Sequence, residues 1–365
     1  MYDYNKQIEA FHEDKVRLSN GMLERLVGHR AANEDRLIKR LPELKEGVRI
    51  GRSSFRSQGS FAIKTVIQTK FADEEYDIDD GVVLWRDDLK DEEGDDMAAP
   101  DAKELVKQAL EDDRFKTQPI TKTNCVRVFY AEEDEDKHHV DFPVYRKYDE
   151  GEGDSAKTIR ELASDSDWVE SDPTRVNVWF EGEVQTRNDR RADAGSQLRV
   201  LIRLLKRFCR SRSDWDMPNG MKLTMLAVEC SSYCDRIDEA FRGLLQKLKD
   251  RLLVSLEVDN LADENVPKAK LTKTTADANM VELRNRVEEA LGKIEVLDDD
   301  DCTKKDARQA WDWVFKSDGF FDEYDDDDDD GGDGGGSGDG SGLKKGIAVT
   351  TPKQPVDPKG GGRFG

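Results

Sequence analysis

Residues 76–85 read Tyr-Asp-Ile-Asp-Asp-Gly-Val-Val-Leu-Trp, and this stretch constrains the chain more than any other. Val82-Val83-Leu84-Trp85 is an apolar run of the length and character of a buried strand. Acids at alternate positions lead into it. Side chains at i and i+2 of a strand point to one face, so Asp77 and Asp79 share a face. Val140-Asp141-Phe142-Pro143-Val144-Tyr145 places a third acid inside a β-rich segment. An unpaired carboxylate would be costly there, and a bound metal relieves that cost. Residues 125–130 and 140–145 flank a charged turn at 132–137, a hairpin signature that sets Asp141 beside the first strand if the sheet is continuous.

Upstream lies Gln58-Gly59-Ser60, followed by Phe61-Ala62-Ile63-Lys64-Thr65, a plausible short helix. A Gly-Ser turn at a helix start offers backbone N–H groups and a hydroxyl to a triphosphate. Mg²⁺ is a hard cation that binds oxygen ligands in company with substrate phosphates. Two such ions activate an attacking hydroxyl and stabilise departing pyrophosphate. Three carboxylates facing a Gly-Ser turn therefore point to two-metal nucleotidyl transfer. In a chain that is 38% charged, a D-x-D or a Gly-Ser alone would say little; their context carries the reading.

A chain of 365 residues holds two domains or one large two-lobed one. Its net charge of −22 is unevenly spread. Residues 325–342 contribute eight aspartates and no base, and 343–365 contribute five bases against one acid, so 1–324 carries −22 + 8 − 4 = −18. A body this acidic disfavours a long nucleic acid, whose binding depends on basic patches and counterion release. Mononucleotides accompanied by Mg²⁺ are compatible with it. Cys125, Cys209, Cys230, Cys234 and Cys302 are scattered and odd in number, as expected of reduced thiols. Cys230 and Cys234 could meet His138 and His139 around zinc, but C-x₂-C spacing is missing and buried cysteines are the better reading. No stretch approaches the roughly 20 apolar residues of a membrane span. The first residues lack the apolar core of a signal peptide, and a cytosolic, cytoplasmic protein is expected.

Along the chain, 4–44 reads as helical, with Ile8, Phe11, Val16, Leu23, Leu26 and Leu37 at helix-like spacing. An acidic loop at 86–100 precedes a helix at 101–113. From Gly195 the pattern turns helical, with Leu198, Leu201, Ile202, Leu205 and Phe208 on one face. Further helices are predicted at about 223–233, 236–256, 277–294 and 303–317. After Tyr324 order should stop, because the Asp/Gly/Ser run can bury nothing. The resulting partition is 1–190 for a β-containing lobe with its N-terminal helix, 191–324 for a helical lobe, 325–342 for an acidic Gly-rich linker, and 343–365 for a flexible tail. A cleft between the lobes is a usual place for a nucleotide.

With these residues in hand, the chain resembles the bacterial cGAS/DncV-like nucleotidyltransferases (CD-NTases), which make cyclic oligonucleotide signals in anti-phage defence (CBASS). The resemblance covers roughly 45–260. It rests on Gln58-Gly59-Ser60-Phe61, Tyr76-Asp77-Ile78-Asp79-Asp80-Gly81, Val140-Asp141-Phe142-Pro143, the stretch Pro173 to Trp179-Phe180, and Leu204-Leu205-Lys206 followed by Asn219-Gly220 and Leu223-Thr224. It implies an α+β fold: a polymerase-β-like nucleotidyltransferase core, a helical C-terminal lobe and a disordered Asp/Gly-rich tail. It further implies that Asp77 and Asp79 bind two Mg²⁺ ions, or Mn²⁺ in their place, that Asp141 completes the site, and that Gly59 and Ser60 hold donor phosphates. Lys206, off the apolar face on periodicity, resembles the family lysine that contacts the triphosphate. Asn219 stands where relatives often have Ser before Gly and is given no role. Nucleoside triphosphates are the implied substrates, with no long nucleic acid and no membrane as partner. Some members are conjugated through a C-terminal residue by an E1/E2-like protein, and Gly365 on its tether suits this, since a residue without Cβ can thread a narrow site.

Overall fold

In a computed structural model of the chain, residues 1–71, 75–130, 137–151 and 157–329 are described. Residues 132–136 of the expected turn at 132–137, residues 330–342 of the expected linker at 325–342, and the tail with Gly365 lie outside them.

Strand β2 (Tyr76–Trp85) is the centre of the architecture. On one edge it pairs antiparallel with β1 (Phe55–Gln58), and on the other it runs parallel to β5 (His138–Phe142) and β6 (Val144–Glu150) in one continuous register. Pro143 has no N–H to give and separates β5 from β6, yet its carbonyl still accepts from the Val82 N–H at 2.9 Å. Beyond them, β4 (Val126–Tyr130) pairs with β5 and β7 (Lys157–Ala163) with β6, while β3 (Ile120–Thr121) and β8 (Trp168–Glu170) form the margins. The hairpin of β4 and β5 is as the sequence predicts, and it brings Asp141 beside Asp79. The long helix α2 (Asn20–Leu44) and α4 (Ala99–Leu110) cover this sheet, closing a core of Leu26, Leu37, Ile78, Val82, Val106, Val128, Val140 and Phe142.

A second core is helical. It joins α5 (Arg175–Arg190), α6 (Ala194–Cys209), α7 (Gly220–Cys230), α8 (Ile237–Val254), α9 (Ala278–Ile294) and α10 (Lys304–Phe315). The first helix, α1 (Asn5–Phe11), runs into a π-helical turn at His12–Val16, and Tyr4, Ile8, Phe11 and Val16 pack into this helical core rather than under the sheet. The short α3 (Gly59–Ala62) bridges the two, with Ile63 and Ile67 behind it buried in the helical core.

The helix read over 4–44 is broken at 17–19, and two further elements depart from the sequence reading. Helix α5 is not marked by periodicity because only Phe180 and Val184 of its sixteen residues are buried. Helix α11 (Phe320–Asp329) carries helical backbone past Tyr324. Phe320 and Phe321 anchor it against Phe11, and Asp322 and Glu323 in its first turn complement the helix dipole. The predicted α+β class and the helical C-terminal lobe are as observed.

Candidate active site

The parallel register of β2 and β5 builds the site. Asp77 lies opposite His139 and Asp79 opposite Asp141, so four side chains form a square on one face of the sheet. Ligand atoms of Asp77, His139 and Asp141 all lie within 4.8 Å of one another. Burial, then the charges of Asp77 and Asp141, push the Asp79 carboxyl up to about 7. Asp141 differs. Arg127, its neighbour on β4, grips both oxygens at 2.7 Å. The positive charge that makes this buried acid tolerable is thus supplied by the protein, not by a metal alone, and an ion at Asp141 must share it with Arg127.

Gly59 faces the square. Its φ of +62° is left-handed, and a Cβ there would collide with Asp79 Oδ2. The predicted Gly-Ser turn against the acids is therefore real, but the helix it opens ends at Ala62 instead of reaching Thr65. Gln58 is held by Tyr145, whose hydroxyl donates to Gln58 Oε1 at 3.1 Å. Helix α6 straps the segment behind the turn. Arg199 Nε donates to Ile63 O and Arg203 Nε to Lys64 O, each at 3.2 Å. Lys206 Nζ donates to Thr65 O at 3.1 Å and to Thr65 Oγ1 at 2.9 Å. These three donors recur at one-turn spacing along a single helix face.

Lys206 is not a solvated surface lysine. It is 5% exposed, because α7 and the 63–65 segment cover the side of α6 opposite the leucines. Burial, helped by Arg210 and Arg203, lowers its ammonium to about 7. Its tip opens into a cleft of ≈ 260 Å³ lined by Gly59, Ser60, Thr65, Asp77, Asp79 and Arg210 among others. An adjoining depression of ≈ 350 Å³ shares Lys206, Arg210 and Gly220 and extends to Trp215 and Asn219. Asn219 itself caps α7, accepting from the Lys222 N–H at 3.1 Å. A larger hollow of ≈ 710 Å³ lies between α2 and the turn after α4, but it contains none of the acid square. Size is a poorer guide here than convergent chemistry.

The structure thus brings Asp77, Asp79, Asp141, Gly59, Ser60 and Lys206 to one place. Sequence reasoning missed Thr65, Arg127 and the position of His139. His139 Nδ1 lies 3.0 Å from Glu75 Oε2, and Nε2 lies 3.1 Å from Asp77 Oδ1. Burial opposes its protonation, but Asp77 and then Asp141 outweigh burial and raise its pKa above the usual value. The zinc grouping does not form. His138 stacks against His29 and Tyr130 on the sheet, whereas Cys230 is buried in the helical core and Cys234 Sγ faces Glu239.

A polymerase-like strand pair bearing acids, a Gly-Ser turn and a facing helical lobe define the class: a nucleotidyltransferase fold. Residues 53–145 match the family model of the cyclic GMP-AMP synthase DncV-like nucleotidyltransferase domain. Among solved structures, Vibrio cholerae DncV cyclic AMP-GMP synthase in complex with the linear intermediate pppA(3′,5′)pG superposes with a TM-score of 0.64 at 18% identity, over 86% of this chain and 95% of that one. The Bradyrhizobium diazoefficiens CD-NTase CdnG in complex with GTP gives a TM-score of 0.64 at 15% identity, over 89% of this chain and 100% of that one. No curated protein sequence matches the chain significantly. The expected likeness to the cGAS/DncV-like group is borne out, by the family model over residues 53–145 and in fold over the larger share that superposes.

Proposed function

We propose that the chain condenses ribonucleoside triphosphates into a cyclic di- or trinucleotide second messenger for anti-phage signalling, releasing pyrophosphate at each step. The observation that carries this reading is the acid square of β2 and β5 facing Gly59-Ser60 and Lys206 in one interlobe cleft. The cleft and its neighbouring depression share Lys206 and Arg210, which supports room for more than one mononucleotide.

The residues fit divalent cations. Three carboxylates crowd one face, and Asp79 is hard to ionise without a further positive charge. Asp77 and Asp79 would hold both ions, with Asp141 completing the site. Two bound Mg²⁺ ions, or Mn²⁺ in their place, supply Lewis-acid charge at the attacking hydroxyl and the departing pyrophosphate. The chain's own residues do the rest. Ser60 and the Gly59 backbone hold the donor phosphates. Lys206 adds a positive charge aimed into the cleft, positioned by Thr65. Arg127 orients Asp141. A ribose hydroxyl of one nucleotide attacks the α-phosphate of another, and the linear product then reorients so that its own triphosphate meets the second hydroxyl. In-line positioning and preorganised charge supply most of the rate gain.

The test is incubation with α-³²P-labelled ATP, GTP, CTP and UTP, singly and mixed, with Mg²⁺ or Mn²⁺. A phosphatase-resistant product, absent with Asp77→Asn or Asp79→Asn, is expected, and mass spectrometry would identify its bases. Near-wild-type activity in either variant would refute the metal assignment. Phosphatase-sensitive oligomers would indicate a linear polymerase instead. We also propose conjugation through Gly365. If an E1/E2-like partner still forms a thioester with protein lacking the C-terminal tail, that part is wrong.

A further inference from the structure

His139 belongs to the acid square by register, yet metal-dependent nucleotidyl transfer as derived above uses only oxygen ligands. Three observations bear on what it does. First, it is 6% exposed, and its Nε2 has no hydrogen-bond partner among the described residues although Asp77 Oδ1 is 3.1 Å away. A buried ring nitrogen that faces a carboxylate without an aligned hydrogen bond meets it through charge alone, and a cation between them would satisfy both. Second, a ring nitrogen of His139 lies within 4.8 Å of ligand oxygens from both Asp77 and Asp141, the spread of donors around a single ion, and Nε2 is the nitrogen on the Asp77 side. Third, the opposite ring nitrogen, Nδ1, sits 3.0 Å from Glu75 Oε2. A carboxylate on the far nitrogen is the usual companion of a metal-bound imidazole, since it sets the tautomer and ring orientation that leave Nε2 free to ligate.

We propose that His139 Nε2 is a nitrogen ligand of the metal site, and that this selects a first-row transition ion, Mn²⁺ in particular, over Mg²⁺. The inference rests on the metal-dependent reading above. Its physical basis is ligand hardness. Mg²⁺ demands near-octahedral oxygen and gives up water reluctantly, so imidazole is a poor exchange for it. Transition ions accept imidazole more readily than Mg²⁺ does; Mn²⁺ stands lowest among them in the Irving–Williams order, so its choice rests on the rest of the donor set. The remaining donors are carboxylates, which suit Mn²⁺ as well. Glu75 is a positioning residue in this scheme: it touches the histidine, not the ion.

The experiment is Mn²⁺ titration of the full chain followed by electron paramagnetic resonance. Loss of the free-ion signal reads occupancy, and electron spin-echo modulation reads ¹⁴N coupled to bound Mn²⁺. Bound Mn²⁺ with ¹⁴N modulation is expected, abolished by His139→Gln. Glu75→Gln should weaken Mn²⁺ by about ten- to hundredfold while retaining the nitrogen signal. His139→Asp, which restores an oxygen donor, should keep occupancy and move the preference toward Mg²⁺ in competition. Circular dichroism of each variant separates ligand loss from misfolding. Mn²⁺ bound through the aspartates without ¹⁴N modulation, or with modulation that survives His139→Gln, overturns the nitrogen ligand alone. Failure to bind Mn²⁺, or binding unaffected by Asp77→Asn and Asp79→Asn, overturns the metal-site reading with it.

Discussion

At Gly59 the backbone sits at φ +62°, and the space a Cβ would need is already taken by Asp79 Oδ2. Gly59→Ala therefore combines about 1–2 kcal/mol of left-handed strain with displacement of a central acid. Nucleotide incorporation should fall about a hundredfold, while circular dichroism shows the fold retained. Lys206 makes a different prediction. Its pKa of about 7 means that much of it is neutral at pH 8, and a bound triphosphate restores the charge. Nucleotide binding at pH 8 should therefore take up protons, and at pH 6, where the ammonium is already charged, this uptake should vanish. Titration calorimetry in buffers of different ionisation enthalpy measures it. Lys206→Met should abolish the uptake and weaken triphosphate binding by about ten- to hundredfold, the range for a charged hydrogen bond. Neither property is legible in sequence. The Gly-Ser dipeptide is visible, but its collision partner lies twenty residues away, and a lysine in an Arg/Lys-rich helix looks solvated until α7 covers it.

Among the elements, α6 shows why periodicity is only partly informative. Its leucine face was readable, whereas the donors Arg199, Arg203 and Lys206 look like a polar rim until the 63–65 carbonyls arrive against them. The N-terminal helices carry a pH response of their own. His12, buried at the start of the π-helical turn and beside Arg203, is lowered to about 4 by burial and then by that arginine. His29 on α2, against Tyr130 and His138, is lowered to about 4 by burial, then by His138 and Arg25. The unfolded chain binds protons at both sites below about 6.5, and the folded chain does not until about 4. Their contribution is therefore fully present above pH 6.5 and is lost as pH falls toward 4. The urea midpoint should drop between pH 7.5 and 5. His29→Phe, which keeps a ring against Tyr130, should remove about one proton's worth of that dependence. An unchanged slope in this variant would sink the assignment.

For the whole molecule, the chain ends of the described part are tied together. Tyr4 and Phe11 pack on Phe321, which is fully buried. Among the residues whose side chains are described, Tyr324 is the one after Phe321 that packs on a core, and it is partly buried. A chain truncated after Asp330 retains all of these contacts and should keep its melting temperature and its nucleotide synthesis, measured side by side with the intact protein. Phe321→Ala, by contrast, should cost about 3–5 kcal/mol in denaturant unfolding. The −18 charge of residues 1–324 acts at this scale too and accords with mononucleotides in place of a long duplex.

By itself, the sequence determined which strand could be buried, that its acids alternate onto one face, and that a hairpin would deliver the third acid, because these depend on spacing between near neighbours. It also revealed the two kinds of lobe, since helix and strand periods differ. Only the tertiary structure decided that His139 completes the square, that Arg127 neutralises Asp141, and that Lys206 is buried. Each depends on which distant residue comes to lie across a register or a helix face. No local pattern carries that information: pairing and desolvation arise only when the elements pack.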